Sequence, residues 1–260
     1  MRSWGVWCAS AAVVLAASTA RADTCPVPQG GGARLAALDA RARIDFLHRN
    51  VDAQAHYARL WKWWWVGIGS ATFTSSAVQA IGWAAGNDKT RDANVVDNVI
   101  VSAFSIVTPI FALAFALRVE KDAPAIDELL QQTGDGAAGS CLVLARMEEL
   151  FQKDADEEAL NTGILAQVAA IVGVGAMFAI LAIEAAVATD PDVRDAHWLN
   201  AATNGIGGLI LTEAQVLTTP TGAISAYRSY LKGDLPRAPK VSWSVVPLVA
   251  TPGVAFKLSF

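Results

Sequence analysis

The sequence predicts an all-α integral membrane protein with four transmembrane helices arranged as two hairpins. Two observations predict this fold class. Hydrophobic residues make up 53% of the 260 residues and charged residues only 17%, whereas soluble domains carry roughly 25% charge. The apolar residues are also concentrated in four blocks, and a short polar turn joins the members of each pair. Amphipathic helices outside the membrane and a short C-terminal β-hairpin complete the predicted fold.

The first 22 residues have the three parts of a cleavable signal peptide. Arg2 supplies a positive charge, Trp4 to Ala17 form an apolar segment, and Thr-Ala-Arg-Ala at 19–22 forms a small-residue cleavage site. The apolar segment is shorter than the roughly 20 residues of a transmembrane helix. We therefore expect cleavage before Asp23 instead of permanent anchoring.

Two cysteines remain after Cys8 is removed with the signal, and we predict a disulfide between Cys25 and Cys141. A cysteine pair in an exported chain is typically oxidised when both residues face the non-cytoplasmic side. Closing such a long loop would stabilise the fold by about 4 kcal/mol. The alternative is two separate free thiols.

The first hairpin follows an amphipathic helix that begins near Ala33. This helix continues without a breaker into the first span, Trp63 to Ala85, which has tryptophans at both ends, as in interfacial aromatic belts. A polar turn, Gly86 to Asn94, leads to the second span, Val95 to Leu117. Pro109 should kink this second span because it removes one backbone hydrogen bond.

The second hairpin follows a polar stretch, Arg118 to Ala159, in which we predict two helices. The third span, Leu160 to Ala188, is the most hydrophobic of the four. After the turn from Thr189 to Ala196, the fourth span runs from His197 to about Thr219. A final short helix stops near Gly233.

The two halves are similar at an offset of 103 residues. Arg-Asp-Ala occurs in both hairpin turns, at 91–93 and at 194–196, and the same offset relates Arg43 to Arg146. We interpret residues 23–134 and 135–233 as tandem repeats, followed by a tail at 234–260. Two spans per repeat make the repeats parallel, related by an axis along the membrane normal, as in one class of transporter architecture.

The tail changes from a helical to an alternating pattern. Val254, Phe256, Leu258 and Phe260 alternate with other residues, and Thr-Pro-Gly supplies a turn back to Ser242 to Val249, which predicts a β-hairpin. This ending resembles the C-terminal recognition signal of bacterial outer-membrane β-barrel proteins, which also alternates and ends in Phe. The resemblance covers fewer than ten residues, and one hairpin does not make a barrel.

Polar side chains inside the spans are the candidates for an intramembrane site, because burying them in lipid is costly. These residues are Asp97, Asn98, Glu184 and Glu213. We expect Asp97 and Glu184 to lie near the hairpin turns, with Arg91, Arg194 and His197 as partners. Glu213 lies several turns into the fourth span. It is either a ligand for an ion, substrate or proton, or the mark of an early end to that span.

Other patterns carry weaker predictions. Small residues at helical spacing in the third span, Gly173 among them, should let helix backbones approach closely. His48, Asp52 and His56 lie on one helix flank at a spacing that can hold a transition metal, although a solvated polar flank is the simpler interpretation. We expect no metal and no cofactor. The sequence has no catalytic motif, so we do not expect an enzyme.

The leading functional hypothesis is a structural or protein-interaction role in the bacterial cell envelope. The alternative is a small transporter or channel subunit that uses Glu213 and Asp97 in a polar path. The expected partners are the lipid bilayer and either a second copy of the chain or another envelope protein. A net charge of −4 argues against a nucleic-acid partner.

The signal peptide and the span count place both termini and both cysteines outside the cytoplasm. The basic residues are then concentrated in the exported segments, which conflicts with the positive-inside rule. We expect the inner membrane as the location. Delivery to the outer membrane from the periplasm is the alternative, and it would account for the basic flanks and the terminal Phe together.

Overall fold

The computed structural model describes residues 25–114, 117–131, 137–235, 242–247 and 254–259. These residues form nine α-helices and two short strands, so the all-α fold class is confirmed for the bulk of the described chain. The predicted signal peptide lies outside the described residues. The helices are α1 (Ala33–Ala36), α2 (Ala40–Ala84), α3 (Arg91–Ser105), α4 (Val107–Ala114), α5 (Arg118–Gln131), α6 (Ala137–Asn161), α7 (Ile164–Val187), α8 (Pro191–Leu217) and α9 (Gly222–Leu231).

Local sequence explains where these helices begin and end. Asp190 caps α8, because its carboxylate accepts hydrogen bonds from two backbone amides of the first turn, and Pro191 occupies the first helical position. The interruption between α3 and α4 follows from Pro109. Proline has no amide hydrogen and its ring crowds the carbonyl four residues earlier, and α3 ends at that residue, Ser105. The predicted kink of the second span is therefore present.

The helices form two parts, which we call the head and the hairpin bundle. The head contains α1, the first half of α2, α5, α6 and α9, and it has an extensive apolar core that includes Phe46, Leu47, Leu144, Met147 and Phe151. The bundle contains the second half of α2, α3, α4, α7 and α8. Its buried apolar cluster is much smaller and consists of Val101, Met177, Leu181 and Ala201.

Cys25 and Cys141 are joined by a disulfide, as the sequence predicts, with their Cα atoms 5.2 Å apart. The bond connects the segment before α1 to the first turns of α6. It lies at the edge of the head core, where Cys25 is buried. The disulfide therefore covalently links the two halves of the chain within the head.

Two segments, not four, are long and apolar enough to cross a membrane by length and composition. They are Arg91–Gln131, within which residues 115 and 116 are not described, and Ile164–Val187. The second half of α2 and the whole of α8 do not meet this criterion, so the structure supports two of the four predicted spans by length and composition. The reason is their content of serine, threonine, asparagine and glutamine, together with the interfacial tryptophans of α2, all of which lower the mean hydropathy.

The described tail residues form two strands, β1 (Ser242–Pro247) and β2 (Val254–Ser259). They pair antiparallel, with Ser242 opposite Ser259 and Pro247 opposite Val254. The residues that connect them, 248–253, are not among those described.

Close helix packing occurs at a different glycine from the one the sequence suggests. Gly173 has open space around the position of a side chain, so the expectation that it forms a packing contact is wrong. Gly69 in α2 is the residue that a side chain would disturb. A Cβ atom there would lie 2.5 Å from Cδ of Pro109 and 3.2 Å from its nitrogen. The spacing of small residues identifies a helix face, but it does not show whether another helix covers that face.

We expect Gly69→Ala to lower the free energy of unfolding in detergent by about 1–2 kcal/mol, because the new methyl group clashes with a rigid proline ring. Gly67→Ala is the matched control in the same helix, since nothing lies within 4 Å of that position. It should be neutral or stabilising by up to about 1 kcal/mol through helix propensity. Chemical denaturation of both variants measures the difference. Equal changes would contradict the packing of α2 on α4.

Candidate functional site

A buried group of polar side chains joins the two hairpins near their turns. We call it the polar cluster, and it consists of Asn94, Asp97, His197 and Asn200. Asn94 and Asp97 are three residues apart in α3, and His197 and Asn200 are three residues apart in α8. This spacing places each pair on one face of its helix. The two faces meet where α3 packs on α8.

Both carboxylate oxygens of Asp97 have partners in this cluster. Nδ1 of His197 lies 2.8 Å from Oδ1 of Asp97, and the Asn200 amide donates to Oδ2 at 2.8 Å. The same amide donates to Oδ1 of Asn94 at 3.0 Å. Asp97 is only 1% exposed, and His197 and Asn94 are also buried. Because its polar atoms are paired, the cluster can be buried without a large desolvation penalty.

The contacts in the polar cluster have an internal symmetry. The offset of 103 residues relates Asn94 to His197 and Asp97 to Asn200. The contact between Asp97 and His197 therefore corresponds to the contact between Asn200 and Asn94, and both are present. Asp97 and Asn200 are themselves related by the offset of 103 residues, and a hydrogen bond joins them. This is the pattern that a local two-fold axis between α3 and α8 produces.

The structure brings together only some of the residues predicted for an intramembrane site. Asp97 pairs with His197, as expected, whereas Asn98 donates to the Asn94 carbonyl of its own helix at 2.8 Å. Glu184 is partly exposed on α7, and its charge acts on Asp97. The expected arginine partners are incorrect for these acids. Arg91 and Arg194 instead lie near their sequence neighbours Asp92 and Asp195, at 3.9 and 3.7 Å.

Glu213 is separate from the polar cluster. It is 7% exposed and lies sixteen residues beyond His197 in α8, which corresponds to about 24 Å along the helix axis. It therefore lies toward the head end of the bundle. Its Oε2 atom has no hydrogen-bond partner among the described residues. The structure thus does not join Glu213 and Asp97 into one site.

Sequence reasoning missed Asn94 and Asn200, which complete the cluster. The available signal was a polar pair at i and i+3 in each of two helices, at positions related by the offset of 103 residues found in the sequence. An asparagine in an apolar helix is easily interpreted as a surface residue near a turn. Only the crossing of α3 and α8 shows that the Asn200 amide donates to both Asp97 and Asn94.

A second buried network holds the head together. The Arg43 guanidinium donates to Glu148, to the Tyr230 hydroxyl at 2.9 Å, and to the Cys25 and Pro26 carbonyls at 3.1 and 3.0 Å. Arg43 and Tyr230 are both fully buried. The Tyr230 hydroxyl also donates to Glu148. Burial, and the charge of Glu148 beside it, raise the pKa of Tyr230, so the hydroxyl keeps its proton.

The functional assignment rests on these contacts. No family model, curated protein or solved structure matches the chain. The polar cluster and the head network are both fixed by many direct hydrogen bonds, as structural networks are. Their chemistry is that of positioning one helix against another.

One exposed cluster has the ligand geometry of a metal site. His48 and Asp52 from α2 and Asp127 from α5 place one ligand atom each within 4.8 Å of one another. His56, which the sequence suggested as a third ligand, is not part of this group. Nε2 of His48 already lies 2.9 Å from Oδ1 of Asp127. Because both acids are about half exposed, the group also has the features of a solvated ion pair, and we assign no metal to it.

Proposed function

We propose that the chain is a four-span membrane protein of the bacterial cell envelope with a structural or protein-interaction role. Its partners would be the lipid bilayer and a second copy of the chain or another envelope protein. The observation that carries this proposal is the disulfide in the head, because it restricts how many times the chain can cross a bilayer. The contacts within the head and the surface of the bundle support the same arrangement.

The disulfide requires Cys25 and Cys141 to lie on one side of any membrane. The α3–α4 segment lies between them and is apolar enough to cross once. A single crossing would put the cysteines on opposite sides of about 30 Å of hydrocarbon. One more crossing is therefore needed between them, and the second half of α2 is the remaining apolar helix in that interval.

The same reasoning applies to the second hairpin. The apolar helix α7 lies between α6 and α9, which contact each other in the head. Tyr230 in α9 donates to Glu148 in α6, and the Ala223 amide donates to Glu158 at 2.7 Å. Because α6 and α9 share one side, a crossing by α7 requires a return by α8. The two apolar segments and these contacts together support an arrangement with four spans.

The surface of the bundle is suited to lipid. Trp63 and Trp64 are 61% and 68% exposed near the head, and Trp83 is exposed at the turn end of the same helix. The 21 residues from Trp63 to Trp83 span about 30 Å, the thickness of the hydrocarbon core. Between these levels the bundle exposes large aliphatic and aromatic side chains, including Val78, Ile81, Val99, Ile110, Phe111, Val172, Ile183, Ile206 and Ile210.

The element boundaries support the tandem-repeat interpretation. The helix α2 ends at Ala84 and α7 ends at Val187, and these two ends differ by the offset of 103 residues found in the sequence. The short helices α5 and α9 then begin within one residue of that offset. We infer that the chain is a duplicated unit of a long helix, a returning helix and a short head helix.

The location follows from the disulfide and the predicted signal. Disulfides persist in oxidising compartments such as the bacterial periplasm. The head would therefore lie on the exported side, with both hairpin turns in the cytoplasm. We propose the inner membrane, and the outer membrane remains the alternative because of the basic head segments and the tail. The transporter alternative is less well supported, because Asp97 is fully paired and Glu213 lies at the other end of the bundle.

Reporter insertions test the four-span arrangement. In the full chain, reporters after Asp88 and after Asp192 should be cytoplasmic, and a reporter at the C-terminus should be exported. If only the two most apolar segments crossed, both turns would be exported and the cysteines would lie on opposite sides. Exported signals at Asp88 and Asp192, or release of the protein by alkaline extraction of membranes, would overturn the proposal.

Membrane fractionation separates the two locations. We expect the protein with inner-membrane markers, and we expect deletion of residues 254–260 to leave that distribution unchanged. Loss of membrane integration in the deletion variant, with the full chain in the outer-membrane fraction, would support the alternative location.

A further inference from the structure

A small cavity lies in the head at its junction with the bundle. Its volume is about 20 Å³, which is enough for one water-sized particle. The polar side chains that line it are Gln54 from α2, Arg118 from α5, and Asp154, Glu157 and Glu158 from α6. Leu117 and Pro220, which connect the last helices of the two hairpins to the head, also contribute to its wall.

Asp154 is the unusual residue in this cavity. It is 3% exposed, and neither of its carboxylate oxygens accepts a hydrogen bond from the part of the chain that is described. A buried carboxylate without a donor or a counter-ion is strongly unfavourable. Burial, together with the charge of Asp122 beside it, raises the pKa of Asp154 to about 8. The fold thus buries an acid beside a second carboxylate, and the nearby Arg118 charge offsets this only in part.

The neighbouring acids have donors of their own. Arg118 donates from Nε to Asp122 at 2.9 Å and from its backbone amide to Glu157 at 3.2 Å. Glu158 accepts from the first backbone amides of α9. The single guanidinium is therefore already engaged on the Asp122 side of the cluster. Four carboxylates and one arginine leave an excess of negative charge around the cavity.

We propose that this cavity binds a single hard, oxygen-preferring cation of the Ca²⁺ class, with Asp154 as its principal ligand. The Asp122 carboxylate and the buried Gln54 amide are the further protein ligands. A site composed of carboxylate and amide oxygens favours hard cations over transition metals. The small volume favours an ion that gives up its water easily, which Mg²⁺ does not.

The position of the site gives it a structural consequence. The cavity wall contains side chains from α2, α5 and α6 and includes the two connections from the bundle. Asp122 of α5 lies beside Asp154. A bound cation would link these elements where the head meets the bundle. This inference concerns the head alone, so it does not depend on the number of spans or on the location of the protein.

Thermal unfolding of the full, disulfide-bonded chain in detergent tests the proposal. Above pH 8, where Asp154 is ionised, millimolar CaCl₂ should raise the Tm of the wild type by several degrees relative to EDTA, and NaCl at equal ionic strength should not. Isothermal titration with CaCl₂ should give one site per chain. At about pH 6 the shift should shrink, because the cation must then displace a proton.

The Asp154→Asn variant tests whether Asp154 binds a cation or only affects the stability of the head. This variant should have a higher Tm than the wild type in EDTA, because it removes an uncompensated charge, and it should lose the response to Ca²⁺. Asp156→Asn is the matched control, an exposed acid two residues away on α6, and it should behave as the wild type. A wild type that does not respond to CaCl₂, MgCl₂ or NaCl would overturn the proposal and leave only a proton shared between Asp154 and Asp122. Retention of the Ca²⁺ response in Asp154→Asn would also overturn it.

Discussion

Replacing Arg43 with methionine is expected to lower the free energy of unfolding by about 3–5 kcal/mol. Methionine fills much of the space of the side chain but removes the charge. Among the described residues, Glu148 would then remain buried with the Tyr230 hydroxyl as its one side-chain donor. The Cys25 and Pro26 carbonyls would also lose their partners, which would loosen the segment that carries the disulfide. Chemical denaturation under non-reducing conditions measures the loss.

Arg146→Met is the matched control for this prediction. Arg146 occupies the position of Arg43 in the other half of the chain, but its side chain is 53% exposed and pairs with Glu149 on the surface of α6. Exposed ion pairs contribute about 0–1 kcal/mol, so this variant should be nearly as stable as the wild type. Similar losses for Arg43→Met and Arg146→Met would contradict the assignment of Arg43 as the centre of the head.

A double variant separates the stabilisation that the ion pair contributes from the cost of leaving one charge buried without a partner. Arg43→Met combined with Glu148→Leu replaces both charges with apolar groups. Its loss of stability should be smaller than the sum of the two single losses, because neither partner is left buried and alone. A strictly additive result would show that the two residues do not act together.

The sequence is sufficient for the features that depend on local patterns. The apolar blocks and polar turns predict the two helical hairpins, Pro109 predicts the interruption before α4, and the cysteine count predicts the bond between Cys25 and Cys141. The hairpins and the interruption follow from residues that are near one another in the chain. The disulfide follows because only two cysteines remain once the predicted signal peptide is removed.

The contacts between distant elements could not be predicted in the same way. Arg43 pairs with Glu148 and Tyr230 because α2, α6 and α9 converge, and neither helix period nor charge spacing identifies that convergence. Gly173 shows the same limit of sequence patterns. It has the spacing of a helix-packing residue, but nothing lies within 4 Å of the position that a Cβ atom would occupy.

Hydropathy alone also underestimates the spans that carry polar contacts. In α8, Asn200 lowers the mean hydropathy, yet its amide faces Asp97 in α3 and not lipid. A span that packs inside a bundle can carry such residues, because a neighbouring helix satisfies their hydrogen bonds. This is why the composition of α8 does not meet the hydropathy criterion although α8 packs within the bundle.

Asp97→Ala is expected to weaken the association of the two hairpins and to lower stability in detergent by about 2–3 kcal/mol. The change removes one of the two acceptors of the Asn200 amide and the partner of His197, and His197 is buried in the bundle. A single hydrogen bond between membrane helices is worth roughly 0.6 kcal/mol on average, so most of the loss would come from the polar groups left without partners. Unfolding followed by tryptophan fluorescence measures the effect.

Two further variants define what Asp97 contributes. Asp92→Ala is the matched control on α3, because the Asp92 side chain is 96% exposed, and it should change stability by less than about 0.5 kcal/mol. Asp97→Asn keeps an oxygen that can accept from Asn200 but removes the charge, so its loss should be intermediate. If Asp97→Ala were as stable as Asp92→Ala, the polar cluster would not hold α3 against α8. If Asp97→Asn lost as much as Asp97→Ala, the charge would be the essential part of the contact with His197.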